Sequence, residues 1–234
     1  MEPAVQKVPT ARRYRGVTAS ERRAQRRERL LDAGLEVFGT EGYASTSVRS
    51  LSAAASLNSR YFYESFASRE ELLSAVYRRI MADIGEATRD AIAGQDTVTA
   101  QARASLRAGW LVLTEDRRKA RIVALEIVGV SESLELMRRQ MRHALADFMV
   151  GNAMAVAGDD IKLRLDPVLV ARFLMGGVVE MLVDWINGDV SASADEIVEH
   201  FTRLFTASAY AAVEVPAAAA TRNGRPPAGK RSTR

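Results

Sequence analysis

The residues best equipped for recognition chemistry lie together in ten positions, Leu57 to Phe66, reading L-N-S-R-Y-F-Y-E-S-F. Asn58, Ser59 and Arg60 bring hydrogen-bond donors and acceptors side by side. Tyr61, Phe62, Tyr63 and Phe66 add four aromatic rings within six positions, in a chain with only 6% aromatic residues. A cluster of this kind suits a core, a ligand cage or a surface that bonds another molecule. Catalytic and metal chemistry have no comparable foothold. There is no cysteine, which excludes disulfides and thiolate ligands, and the two histidines, His143 and His200, are too few for a histidine-based zinc site. H-E-x-x-H, G-x-S-x-G, a glycine-rich phosphate loop and a carboxylate cluster at metal spacing are all absent. The reading is not an enzyme, with no cofactor and no metal.

The elements that must hold these ten residues are helical. Ala, Leu, Arg and Glu dominate, Pro167 is the one proline between positions 10 and 215, and no alternating strand pattern persists. A first helix opens at Thr18–Glu21, which has capping-box spacing, runs through a basic first half and carries an apolar stripe at Leu30, Leu31, Gly34, Leu35 and Phe38. Short helices are expected at 47–55 and 58–66 with a tight connection at Ser56-Leu57. A longer one follows the second capping-box pattern at Ser68–Glu71. Beyond residue 94 the pattern predicts long amphipathic helices at 97–114, 117–129, 132–156, 166–187 and 192–212.

Two short helices joined by a tight turn form a helix-turn-helix, whose second helix enters the DNA major groove and offers its N-terminal residues to base edges. On that reading Leu57, Phe62 and Phe66 pack beneath the helix, while Asn58, Ser59, Arg60, Tyr61 and Tyr63 face outward toward bases and phosphates. Glu64 is the residue least at home there, because a carboxylate beside phosphates is unfavourable unless it accepts from a cytosine amine or an arginine.

Charge agrees with a polyanionic partner. Residues 1–29 carry a net +6, residues 213–234 a net +4, and the stretch between them a net −6, which together make the chain's +4. The basic arm, with Lys7, Arg12, Arg13 and Arg15, either enters a minor groove or touches nothing. The N-terminus has no apolar core of a signal peptide and the most apolar run is too short for a membrane span, so the expectation is a cytoplasmic protein.

Residues 22–84 resemble the DNA-binding domain of the TetR family of bacterial transcriptional regulators. The likeness rests on Ala33, Phe38, Gly42-Tyr43, Thr46-Ser-Val-Arg49, Leu51, Ala55, Leu57, Phe62-Tyr63, Phe66 and Ser68-Arg-Glu-Glu-Leu-Leu73. It implies that Thr46 and Arg49 meet the backbone near the second helix. Ser59, Arg60, Tyr61 and Tyr63 lie on the recognition helix, and Arg69 holds a phosphate. Three positions depart from the family pattern: Ser56 stands where glycine is usual, Tyr61 where a small residue is common, and Glu64 where histidine or tyrosine is usual.

The residue pattern gives an all-α chain with a flexible basic arm (1–19) and a disordered basic tail (213–234), and the resemblance further implies a helix-turn-helix domain (20–84) followed by a helical effector-binding and dimerisation domain (85–212). Its function would be that of a homodimeric repressor, released from operator DNA by a small-molecule effector. An architectural DNA binder with little sequence preference is the alternative. Polar or soft residues in apolar stripes make Trp110, Glu126, Met137, Met141, His143, Phe148, Phe173 and Met175 candidates for the effector pocket, although each also suits a core. Gly176 and Gly177 in the nearly all-apolar helix 166–187, with Leu182, Trp185, Phe201 and Leu204, are candidates for the dimer interface.

Overall fold

Every α-helix among the described residues begins on a side chain that can accept a hydrogen bond from the first turn. A computed structural model describes residues 18–158 and 162–212. Thr18, Ser47, Asn58, Ser68, Thr97, Asp116, Ser131, Asp166 and Ser193 are the N-caps of α1 (Ala19–Thr40), α2 (Val48–Ala54), α3 (Ser59–Tyr63), α4 (Arg69–Ile92), α5 (Val98–Thr114), α6 (Arg117–Arg121), α7 (Glu132–Ala157), α8 (Pro167–Asn187) and α9 (Ala194–Ala211). Each cap satisfies donors that a helix start leaves unpaired. The box at Thr18–Glu21 closes as its spacing predicts. The one at Ser68 is displaced: Glu71 accepts from the Ala67 amide, at 2.6 Å, rather than from the cap residue.

The helices anticipated from periodicity are present, with bounds shifted by a few residues at most, and no strand occurs among the described residues. Two elements differ. The recognition segment is helical only over Ser59–Tyr63, and Phe66 is reached through turn bonds from Ser65 and Phe66 to the Phe62 carbonyl. The stretch expected as one helix at 117–129 is α6 followed by a π-turn, Ile122–Glu126. An ion pair between Arg121 and Glu126, 2.7 Å long, spans the same five residues as a π hydrogen bond and favours that wider winding.

Helices α1 to α3 form a head and α5, α7, α8 and α9 a body. Helix α4 belongs to both, and α6 with its π-turn wedges between α1, α5 and α8. Their apolar faces share one continuous core, which runs from Leu30 and Phe38 in the head to Trp110, Leu182 and Phe201 in the body. Where α1 meets α6 there is no room for a side chain: a methyl group added at Gly39 would collide with the backbone and Cβ of Arg118. Among the described residues no helix is long and apolar enough to cross a membrane.

Candidate nucleic-acid interface and interior cavity

The turn between α2 and α3 is built on strain and then tied down. Ser56 has φ +52°, alone among the described non-glycine residues in the left-handed region, where a Cβ costs energy. The Leu57 amide closes the turn on the Ser52 carbonyl at 2.8 Å. From α1, Arg29 donates to the carbonyls of Ala55 and of Ser56. Arg29 supplies the anchor that lets a serine occupy a glycine position.

Beyond the turn, Phe62 and Phe66 are buried against the core and the outward face of α3 carries Ser59, Arg60 and Tyr63, the last 62% exposed. Asn58 is divided: its Oδ1 caps α3 by accepting from the Tyr61 amide at 3.3 Å, so only its amide nitrogen faces a partner uncommitted. Tyr61 is not fully outward. Its ring lies beneath the Arg26 guanidinium, 4.6 Å from the centroid, which leaves it half-buried against α1. Glu64, the C-cap of α3, sits between two cations, 3.3 Å from the Arg60 Nε and 3.5 Å from Arg26. The arginine that a carboxylate needs on such a surface is supplied twice by the chain itself.

Two residues expected at the DNA backbone are spent inside the chain. Thr46 is buried and its hydroxyl donates to the Gly42 carbonyl at 2.7 Å, so its side chain shapes the loop before α2 instead of reaching phosphate. Arg69 lies over the Tyr43 ring at 4.9 Å and donates to the carbonyls of Tyr43 and Thr46, which fixes that loop against α4. Arg49 is exposed at the second position of α2. Lys7, Arg12, Arg13 and Arg15 lie outside the described residues.

The same loop is held from the body. Glu126 in the π-turn accepts from the Tyr43 amide at 2.7 Å and from Arg121 at 2.7 Å, beside Gly42 with φ +87°. Next to it, Arg118 pairs with Asp116 and Glu36. The Arg118 hydrogen bond holds the Asp116 carboxyl below its ordinary value against the opposing effect of burial. Glu126 is therefore a tie between head and body, and it lines neither of the two cavities of the body.

The body holds a cavity of about 410 Å³, partly open to solvent beside Leu163 and Tyr210, between the end of α4, α5, the second half of α7 and the facing ends of α8 and α9. Its wall is apolar, with Ile92, Val98, Met154, Val170, Leu174 and Phe205 among its residues, and it contains no charged side chain. Of the wall's polar groups, Ser105 donates to carbonyls of its own helix and Asn152 to the Phe148 carbonyl. Gln101 keeps a buried carbonyl oxygen without a hydrogen-bond partner. A second chamber of about 70 Å³ adjoins it and shares Ser105 and Met149.

Of the eight pocket candidates, Phe148 lines the large cavity, while Trp110 and Met175 line the small one. Met137 instead accepts from the Ser74 hydroxyl in the α4–α7 seam, Met141 packs on the core, and half-buried His143 lines neither chamber. Phe173, expected to face inward, is 82% exposed. Of the interface candidates, Leu182 and Phe201 are buried in the chain's own core and Trp185 packs edge-on to Trp110. Gly176 and Gly177 have open space where a side chain would stand, and Leu204 is likewise exposed. Sequence reasoning missed Arg26 and Arg29, whose roles depend on helices far apart in sequence. It also missed most of the cavity wall, because an apolar residue facing a void has the same spacing as one facing a neighbour.

Residues 30–76 match the family model of bacterial regulatory proteins, tetR family. No curated protein matches the sequence. Among solved structures, the fatty acid degradation regulator FadR from Bacillus halodurans superposes with a TM-score of 0.68 at 18% identity, over 77% of this chain and 94% of that one. FadR from Bacillus subtilis, in complex with stearoyl-CoA, gives 0.67 at 18% identity over 76% and 96%. A TetR-family regulator from Syntrophomonas wolfei gives 0.68 at 15% identity over 80% and 96%. At such identities the likeness is one of fold, and it extends the match of the front domain to the helical body. Residues 30–76 thus carry the helix-turn-helix of the bacterial regulatory proteins of the tetR family, and the chain as a whole shares the fold of the solved TetR-family regulators.

Proposed function

We propose that the chain is a homodimeric cytoplasmic repressor that leaves its operator when a small molecule with a long apolar chain enters the body. Residues 20–84 read the DNA, chiefly through Ser59, Arg60, Tyr63 and Arg49, and residues 85–212 bind the effector and dimerise. The observation that carries this reading is the uncharged cavity of about 410 Å³, joined to the head through α4 and α6. Its volume falls in the usual range for small-molecule sites. The stearoyl-CoA bound by the FadR of Bacillus subtilis supports an acyl chain as the effector class.

The dimer is supported by an unpartnered stripe on α8. Leu169 and Phe173 are 64% and 82% exposed, Gly176 and Gly177 continue the stripe one turn on, and Leu204 of α9 is 55% exposed. A two-fold pair through α8 and α9 sets two recognition helices about 34 Å apart, one turn of DNA. Effector binding then favours a separation that no longer fits both half-sites.

Selection of bound duplexes from a random pool tests the whole reading. The expected product is an inverted repeat whose binding weakens steeply with salt and is reversed by long-chain acyl-CoA. Recovery of duplexes with no shared sequence would point instead to an architectural DNA binder.

A further inference from the structure

We infer that the two interior chambers form one site that measures chain length. The outer chamber binds a linear acyl chain, and only a chain long enough to pass Met149 into the inner chamber releases DNA. This rests on the reading of the larger cavity as the effector site.

The chambers follow one another along α5, from Val98 in the outer to Leu113 in the inner. At 1.5 Å per residue that is about 22 Å, an elongated space suited to an extended chain. If a methylene occupies about the volume of a water, ~30 Å³, the outer 410 Å³ takes roughly a dozen carbons and the inner 70 Å³ about two more. Met149 and Ser105 are the residues common to both walls. The Ser105 hydroxyl is turned back on its own helix, which leaves Met149, unbranched and readily repacked, as the movable partition.

The inner wall differs in kind from the outer. It includes Trp110, which meets Trp185 edge-on at 6.4 Å and Phe201 at 6.0 Å. Trp185 lies under the guanidinium of Arg117, the first residue of α6, at 5.7 Å, and Arg117 also donates to the Ile186 carbonyl. Helix α6 in turn abuts α1 at Gly39 without clearance. A chain end in the inner chamber therefore presses on an aromatic stack that touches α6, whereas a chain confined to the outer chamber meets no residue of that stack. Binding and release become separable by length.

The test uses the full chain, its selected operator duplex and saturated straight-chain acyl-CoA thioesters from octanoyl to octadecanoyl. Calorimetry measures binding, and anisotropy measures operator affinity at saturating thioester. Tryptophan emission reports the inner wall, since Trp110 and Trp185 are the chain's two tryptophans. Affinity is expected to rise about fourfold per buried methylene. Emission change, and a loss of operator affinity of at least tenfold, are expected only beyond about twelve carbons. In Gly109→Leu, the new Cβ meets Ile84 at 3.6 Å and Thr88 at 4.0 Å, ordinary van der Waals contacts that need no shift, and the rest of the side chain fills the inner chamber. This variant should bind dodecanoyl-CoA as before yet fail to release DNA with hexadecanoyl-CoA. Equal release by the dodecanoyl and hexadecanoyl thioesters at saturation overturns the inference, as does a wild-type response from a folded Gly109→Leu. If Gly109→Leu does not fold, the wild-type series decides alone. Failure of every thioester to bind refutes the effector-site reading itself.

Discussion

Glu64→Gln probes the recognition surface most directly. The carboxylate lies 3.3 Å from Arg60, whose side chain is 83% exposed, and 3.5 Å from Arg26. Ion pairs this open contribute little to folding, about 0–1 kcal/mol, so the variant should melt close to wild type. Its effect on DNA binding is larger. Neutralising the carboxylate frees one cation for phosphate, which steepens the logarithmic salt dependence by about 0.9. At 0.1 M salt that amounts to roughly eightfold tighter binding to any duplex. Operator binding gains less, because Arg60 loses the partner that orients it toward a base and forfeits part of the ~1–3 kcal/mol such a contact provides. The ratio of operator to random affinity should fall severalfold, up to about tenfold. Fluorescence anisotropy on both duplexes between 50 and 200 mM salt, on the order used for such slopes, measures both quantities. If the random-DNA slope and the ratio both match wild type, Glu64 restrains neither arginine and the reasoning fails.

Other outcomes follow from the seams. Glu126→Ala strands the Tyr43 amide and Arg121, and should cost about 1–3 kcal/mol in urea unfolding while weakening operator binding; Glu126→Gln keeps an acceptor and should retain most of both. Gly39→Ala overpacks the α1–α6 contact against backbone, with an expected loss of about 1–3 kcal/mol and a lower thermal midpoint. Phe173→Glu combined with Leu169→Glu should yield a folded monomer by sedimentation, with operator affinity reduced at least a hundredfold, on the order expected when one of two half-site contacts is lost. The Asp116 carboxyl is held below its ordinary 3.8 by the Arg118 hydrogen bond, so its stabilisation is present above that value and lost as pH falls through the lowered one. Asp116→Asn should flatten the melting profile in that acid range, and an unchanged profile counts against the assignment.

The helices, their caps and the helix-turn-helix segment were legible because each follows from neighbours within one or two turns. Thr18 and Glu21 are three residues apart, and the burial of Phe62 and Phe66 beside exposed Tyr63 is a matter of helical phase. Strain at Ser56 was foreseen from the glycine that the turn prefers, but its anchor was not, since Arg29 lies 27 residues away. Distance in the chain hides the rest in the same way: Glu126 meets Tyr43 across 83 residues, and nothing in the I-V-A-L-E-I-V-G-V stretch distinguishes a tie from a pocket wall.

From the sequence alone came the all-helical class, the location of the helix-turn-helix and the basic character of residues 1–29 and 213–234. Local hydrogen bonds, side-chain periodicity and charge are properties of short segments, and they do not depend on what packs against them. Which polar residues are spent and which are available was decided by tertiary structure: Thr46 and Arg69 turned inward, Glu64 was placed between two arginines, and Phe173 was left on the outside. The cavity belongs wholly to that second kind. It is the space that α4, α5, α7, α8 and α9 leave between them, and no residue's own chemistry records a gap.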